Sequence, residues 1–379
     1  MTQPLIPQRL AVNIFATFLV IGAYVPFLPV WLESRGIAKE EIGLIFAVAL
    51  WAKIPVGLLV SSIADQTGDR KIALIVISIV TLAGFCMFPY LYGFWPLLIA
   101  WAIFGTLLTT LIPLADSLAV SAMKRAHMDY GRVRLWGSVA FILMSIIGGY
   151  YLEDRDDDAV MHLIILGSFI TVISACTVPN IREPARTHKS IALFELLKVP
   201  SFVVFVLTAA VLQASHAALY GFATLHWISA GLDKTLIGLL WAEGVVAEIL
   251  LLAVSSQLLK RLGVPGLFLM AGCAGIIRWT VLGSTTDLTA LILTQALHAL
   301  TFAGTLIASI GYISQRVAKD QSATAQGLYD GLAMGFLFGI AMAIAGWAYA
   351  DFGAQVFYVM VVFSGLGCLG ALMLRSMSK

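Results

Sequence analysis

The sequence predicts an all-α membrane protein of twelve transmembrane helices in two six-helix halves, and three observations carry that reading. Hydrophobic residues make up 60% of the 379 positions and charged residues only 12%, against roughly 25% charge in an ordinary soluble domain, and mean hydropathy is +0.95. Apolar runs of about 20 residues, long enough to cross a bilayer as helices, recur along the whole chain. One long polar stretch, NIREPARTHKSIALFELLKVP at 180–200, interrupts them near the middle. It divides the chain into an N-terminal half at 1–178, a central segment at 179–200 and a C-terminal half at 201–379.

Taken in order, the predicted spans are 10–32, 42–64, 71–92, 95–119, 133–152 and 160–178, then 201–228, 236–258, 264–285, 288–313, 323–349 and 355–375. The first begins within MTQPLIPQRLAVNIF, which has the look of a leader, but the apolar run continues through AYVPFLPVWL with no small-residue cleavage site, so it is read as a retained span. The connections between spans are mostly short, so neighbouring helices are expected to run antiparallel. Lys and Arg set the orientation. With the N-terminus in the cytoplasm, 17 of the 23 basic residues fall in cytoplasmic segments and four, Arg35, Lys39, Arg155 and Lys234, fall outside. Both termini are therefore expected in the cytoplasm. The acidic loop EDRDDD, Glu153 to Asp158, lies outside in this scheme and is expected to be solvated. Four cysteines, Cys86, Cys176, Cys273 and Cys368, sit in apolar segments at irregular spacing and read as small packing residues, with no metal site or disulfide framework.

Two motifs carry a family resemblance. Between the second and third spans stands SSIADQTGDRK, which resembles the G-x-L-A-D-R-x-G-R-R/K signature of the major facilitator superfamily: Asp65, Gly68, Arg70 and Lys71 match, while Ser61, Gln66 and Asp69 depart. A glycine there permits a tight turn. Asp65 is expected to face the start of the eleventh span near Ala323 as a gating latch. At 129–141, DYGRVRLWGSVAF is similar to the entry to the fifth helix in proton-coupled permeases related to the lactose permease, where the second Arg of G-R-x-R points into the substrate cavity; Arg134 is the matching residue. Arg278 and His298 stand twenty residues apart, as an Arg and a His do in that permease. A carboxylate follows the His by three residues there, whereas this chain has Thr301. Stretches in both halves, LPVWLESRGI, HAALYGF, LLWAEGVVAE, IIRWTVLGSTT and QALHALTF, resemble the 3-phenylpropionate transporter family.

Polar residues inside the spans are the functional candidates, because charge in hydrocarbon is costly. Counting at about 1.5 Å per residue puts Glu243 and Arg278 level at a depth of ~10 Å and Glu248 and His298 level near ~16 Å, close to the midplane. This predicts a static pair, Glu243 with Arg278, above a proton-coupling pair, Glu248 with His298, in which burial disfavours the carboxylate's charge and a neighbouring cation restores it. Lys53 has no acid at its depth in its own half and is expected to hold a carboxylate substrate, with Arg134 assisting. Gln213, His216 and Tyr220 recur at i, i+3 and i+7 as one polar stripe on the seventh span. Tyr24 and Trp241 are candidate stacking partners for an aromatic solute. Asp116 is expected to meet Arg132 or Arg134, and Asp330, without an identified partner, joins Asp65, Gly68, Arg70 and Asp116 as a gating candidate.

The resemblance implies a proton-coupled secondary transporter that imports a small aromatic monocarboxylate by alternating access, as a monomer in the inner membrane of a bacterium. A sugar or nucleoside symporter and a drug exporter are the alternatives. The partners expected are an organic anion, protons and the lipid bilayer, with no nucleic acid, cofactor or metal. Neither H-E-x-x-H nor G-x-S-x-G occurs, and no enzymatic activity is expected.

Overall fold

Among the described residues eleven helical segments are long and apolar enough to cross a membrane, and the last of them turns at a glycine, so that twelve helices can be told apart. The structure, a computed structural model, describes residues 6–126, 130–181 and 192–377; residues 182–191 of the central segment, with Arg182, Arg186 and Lys189, lie outside the described residues. The helices are α1 Ile6–Ser34, α2 Lys39–Thr67, α3 Arg70–Phe85, α4 Phe94–Ala122, α5 Tyr130–Leu152, α6 Ala159–Thr177, α7 Pro200–Ser229, α8 Lys234–Ala253, α9 Ser255–Ser284, α10 Leu288–Arg316, α11 at 322–352 and α12 Val356–Met377. The last two form one apolar helical segment of 56 residues, Ser322–Met377, until Gly353, at φ 56°, reverses the chain between them. No strand occurs among the described residues.

Local chemistry sets the helix ends. Asp69 caps α3, its Oδ1 accepting from the Ile72 N–H at 3.1 Å, and Asp287 caps α10 through the Ala290 N–H at 3.0 Å, each satisfying a donor that the first turn leaves open. Gly68 ends α2 with φ 64°, so the family's motif glycine is used for the turn that the sequence analysis expected. Other helices are irregular in the middle. The α7 helix breaks between Ala214 and Ala217, and single π turns interrupt α4 at Trp101–Gly105, α10 at Ala299–Ala303 and α11 at Leu332–Phe336. Such turns gather at functional positions in helical proteins.

Contacts group the chain into two units: Met1–Ile37, Trp51–Thr187 and Leu232–Ala242 in the first, and Ala38–Leu50, His188–Gly231 and Glu243–Lys379 in the second. These units cut across α2 and α8, whereas the division at 179–200 follows the connectivity of the chain. In the first unit α1 packs on α5 and α6, and Asn13 on α1 donates to Ser174 Oγ on α6 at 3.0 Å. In the second, Phe205 stacks on Tyr312 with ring centroids 4.1 Å apart, and Phe268 and Tyr329 complete an aromatic core.

The acidic loop after α5 is exposed at Glu153 to Asp156 and at Asp158, as expected of a solvated loop, and it also makes specific contacts. Asp158 accepts from Trp31 Nε1 at 3.0 Å and from Arg35 at 2.6 Å, Asp157 accepts from Lys234 Nζ at 2.9 Å, and Glu153 accepts from the Thr235 N–H and hydroxyl at 2.8 and 3.0 Å. The cause is the closeness of α5 to the first turns of α8, which belong to the same unit. A Cβ on Gly238 would stand 2.2 Å from the Ser145 carbonyl oxygen. Gly238→Val should therefore destabilise the protein by about 1–3 kcal/mol, the usual cost of overpacking, read as a lower midpoint in thermal unfolding of the purified protein in detergent.

Candidate functional site

The second unit holds a cluster of buried polar side chains at the break of α7 and the π turn of α10. Arg278 on α9 is fully buried. Its guanidinium donates to Gln295 Oε1 at 2.6 Å, to Thr301 Oγ1 at 3.1 Å and to His298 Nδ1 at 3.0 Å. Three acceptors from one helix thus gather on one cation, because Gln295 lies a turn before the π turn and Thr301 lies within it. Arginine can only donate, so His298 Nδ1 must accept and the ring proton must sit on Nε2. That nitrogen faces Glu248 Oε2 at 3.9 Å. The structure therefore brings together Glu248 and His298, the two residues that depth counting paired.

Glu243 stands differently from the expected static pair. The direct hydrogen bonds of the Arg278 guanidinium go to the three neutral acceptors of α10, and Glu243 is not among its hydrogen-bond partners. Matching depth does not fix the direction a side chain takes around its helix. A direct pair would lose about 3–5 kcal/mol on either neutralisation and couple strongly. Here Arg278→Met should cost on the order of 1–3 kcal/mol for each acceptor left without its donor, Glu243→Gln should cost much less, and the two should add to within about 0.5 kcal/mol. Unfolding midpoints of the two single variants and the double variant check this.

The stripe predicted on α7 is reshaped by the helix break. His216 is fully buried; its Nδ1 meets the Gln213 carbonyl oxygen at 3.1 Å and its Nε2 meets Thr301 Oγ1 at 3.0 Å. Gln213 is 1% exposed and donates to the Tyr329 hydroxyl at 3.4 Å. Tyr220 is half-buried and stacks on Phe338 at 5.9 Å. Gln213 and His216 are thus enclosed, and Tyr220 is the more accessible member of the stripe. Trp241 is 5% exposed. Asp330, for which the sequence identified no partner, lies exposed on α11 and does interact with a neighbour.

In the first unit, Lys53 on α2 is half-buried and also interacts with a neighbour, so its role does not depend on standing alone. Asp116 on α4 lies within the electrostatic reach of Tyr130 and Arg134 at the start of α5. Arg134 also lies over the Phe18 ring at 4.4 Å. Sequence reasoning missed Tyr130 and Phe18, although Tyr130 stands inside the quoted DYGRVR motif. Tyr24 packs edge-on against Trp101 at 5.3 Å, where the π turn of α4 begins. Arg70 reaches Ser121 Oγ at 3.5 Å, and Asp69, which departs from the family signature, accepts from Asn180 at 3.3 Å as well as capping α3. The side chain of Asp65 lies outside the described residues.

The apolar helices of the described residues, with a buried cation, Arg278, and a half-buried acid, Glu248, in the second unit, are those of a polytopic membrane transporter. The chain belongs to the MFS_1 like family of the major facilitator superfamily, whose pattern it matches over residues 8–360. It is similar to the probable 3-phenylpropionic acid transporter of Escherichia coli (strain K12), with 32% identity over 362 residues, 93% of this chain and 94% of that protein. It is also similar to the lactose permease of Citrobacter freundii, with 24% identity over 372 residues, 90% of this chain and 87% of the permease. In fold it resembles the crystal structure of the nucleoside transporter NupG, with a TM-score of 0.85 at 16% identity, covering 99% of each chain. It is a secondary transporter of the major facilitator type, and its relatives are transporters, not enzymes.

Proposed function

We propose that this transporter imports a small aromatic monocarboxylate, of the 3-phenylpropionate type, together with a proton, by alternating access. The observation that carries the coupling is Glu248 facing His298 Nε2 at 3.9 Å, with Arg278 on the other ring nitrogen. An acid inside a membrane span is tolerated when it can be neutral during passage and ionised when a donor or water reaches it. The substrate class is supported by the 32% identical relative, whose name gives 3-phenylpropionic acid, and by Lys53 on α2 as the cation for the carboxylate. Arg134 assists on the same unit, where Tyr24 and Trp241 supply aromatic contact. Asp65, Gly68, Arg70, Asp116 and Asp330 are assigned to gating. Both termini lie in the cytoplasm and the protein works as a monomer in a bacterial inner membrane.

Initial rates of labelled 3-phenylpropionate uptake into proteoliposomes under an inward proton gradient test this reading. Undissociated phenylpropionic acid crosses lipid unaided, so the readout is the rate above protein-free vesicles. Proton-driven uptake of the acid with none of a disaccharide or nucleoside supports it. The reverse preference would point to a sugar or nucleoside symporter, and outward proton-coupled extrusion of apolar cations to a drug exporter.

A further inference from the structure

The bonds around Thr301 can point only one way if every group is to be satisfied. His216 Nδ1 lies 3.1 Å from the Gln213 carbonyl, which also accepts the His216 backbone N–H at 3.1 Å; a carbonyl can only accept, so this nitrogen carries a proton. A second proton on Nε2 would place a buried cation in the cluster that already holds Arg278. The His216 ring is therefore neutral, and Nε2 accepts from the Thr301 hydroxyl at 3.0 Å. That leaves the Thr301 oxygen free to accept from Arg278 at 3.1 Å. The competing course for the same hydroxyl hydrogen is the His298 carbonyl at 3.2 Å, within its own helix.

We propose that His216 is a positioning residue of the proton site: by drawing the Thr301 hydroxyl hydrogen to itself it turns the Thr301 oxygen towards Arg278, which holds the guanidinium on His298 Nδ1 and keeps the His298 Nε2 hydrogen directed at Glu248. Thr301 stands three residues after His298, the sequence position at which the lactose-permease pattern has a carboxylate. The charged and titratable groups around this chain of bonds are Arg278 on α9, His298 on α10, Glu243 and Glu248 on α8, Tyr329 on α11 and Tyr220 on α7 itself. The rings of Trp279 and Phe302 close the remaining sides of His216 at 5.3 and 5.8 Å. The proposal rests on reading Glu248 as the proton carrier.

The test is the pH dependence of proton-driven 3-phenylpropionate uptake in proteoliposomes, normalised to substrate exchange, for His216→Asn, His216→Gln and Thr301→Val. Asparagine keeps an N–H for the Gln213 carbonyl but is too short to reach Thr301. Glutamine places an amide near the Nε2 position and reaches it. His216→Asn should move the half-maximal pH upward by roughly 0.3–1 unit, because ionised Glu248 loses the N–H dipole directed at it across 3.9 Å. Thr301→Val should move it alike, and carries the test if His216→Asn does not fold. His216→Gln should bring the profile back towards wild type. Unchanged profiles in His216→Asn and Thr301→Val would overturn the proposal, as would the reverse order, a mild Asn variant and a severe Gln variant, which would make His216 a staple for the α7 break alone. Glu248→Gln in the same assay separates the two failures: wild-type proton-driven uptake there removes the proton-carrier reading, whereas its loss with unshifted His216 and Thr301 profiles removes only the role of His216.

Discussion

Replacing Glu248 by glutamine should abolish proton-driven net uptake while leaving substrate-for-substrate exchange. Glutamine mimics the protonated acid and cannot release a proton. Exchange needs only the loaded carrier to cross and return, and the loaded state is neutral at this position, so the bilayer opposes it little. Net uptake requires the empty carrier to reset, and that step requires deprotonation on the inner side. His298 is held as the Nε2–H tautomer by Arg278 at 3.0 Å, so it can steady the ionised Glu248 but cannot take a proton on Nδ1 without giving up that bond. Counterflow of labelled 3-phenylpropionate gives the first quantity and the initial rate under a proton gradient, above protein-free vesicles, gives the second. Wild-type net uptake by the variant would make Glu248 structural.

The second large effect is expected at Lys53. Lys53→Gln should reduce uptake of the acid by ~10–100-fold, the equivalent of one charge-assisted hydrogen bond, with the loss appearing in the substrate concentration needed for half-saturation. Lys53→Arg should recover only part of it, because a planar fork does not reproduce a compact ammonium on a flexible stem. The protein should still insert and fold, since removing a cation from a membrane span also removes its burial cost. Uptake by the glutamine variant equal to wild type would show that the carboxylate is held elsewhere, with Arg134 the next residue to change.

The spans were legible because hydrocarbon imposes length and composition on any helix that crosses it, and the one pair merged into a single helical segment, Ser322–Met377, still turns at a glycine. Glu248 and His298 were legible as a pair because depth is additive along a helix. Direction around the axis is not. A small deviation from 3.6 residues per turn accumulates, and Glu243 shares a level with Arg278 without sharing a hydrogen bond. The break of α7 at His216 and the π turn at Ala299–Ala303 carry no proline at either place, so nothing in the local sequence announces them. They arise where the tertiary partners Thr301, Arg278 and His216 satisfy backbone and side chain together. The exposure of the acidic loop was legible from its composition, but its contact with Lys234 was not, because Lys234 lies 77 residues from Asp157 and composition alone cannot bring the two together.

The most direct measurement of the central claim is proton movement itself. Wild-type protein is reconstituted with a pH-sensitive dye in the lumen, 3-phenylpropionate is added outside at equal pH, and the initial rate of lumenal acidification is recorded above that of protein-free vesicles, alongside entry of the labelled acid. Proton-coupled import predicts acidification in proportion to protein-dependent entry of the acid, and neither with Glu248→Gln. Entry of the acid through the wild-type protein with lumenal pH no different from protein-free vesicles would contradict it.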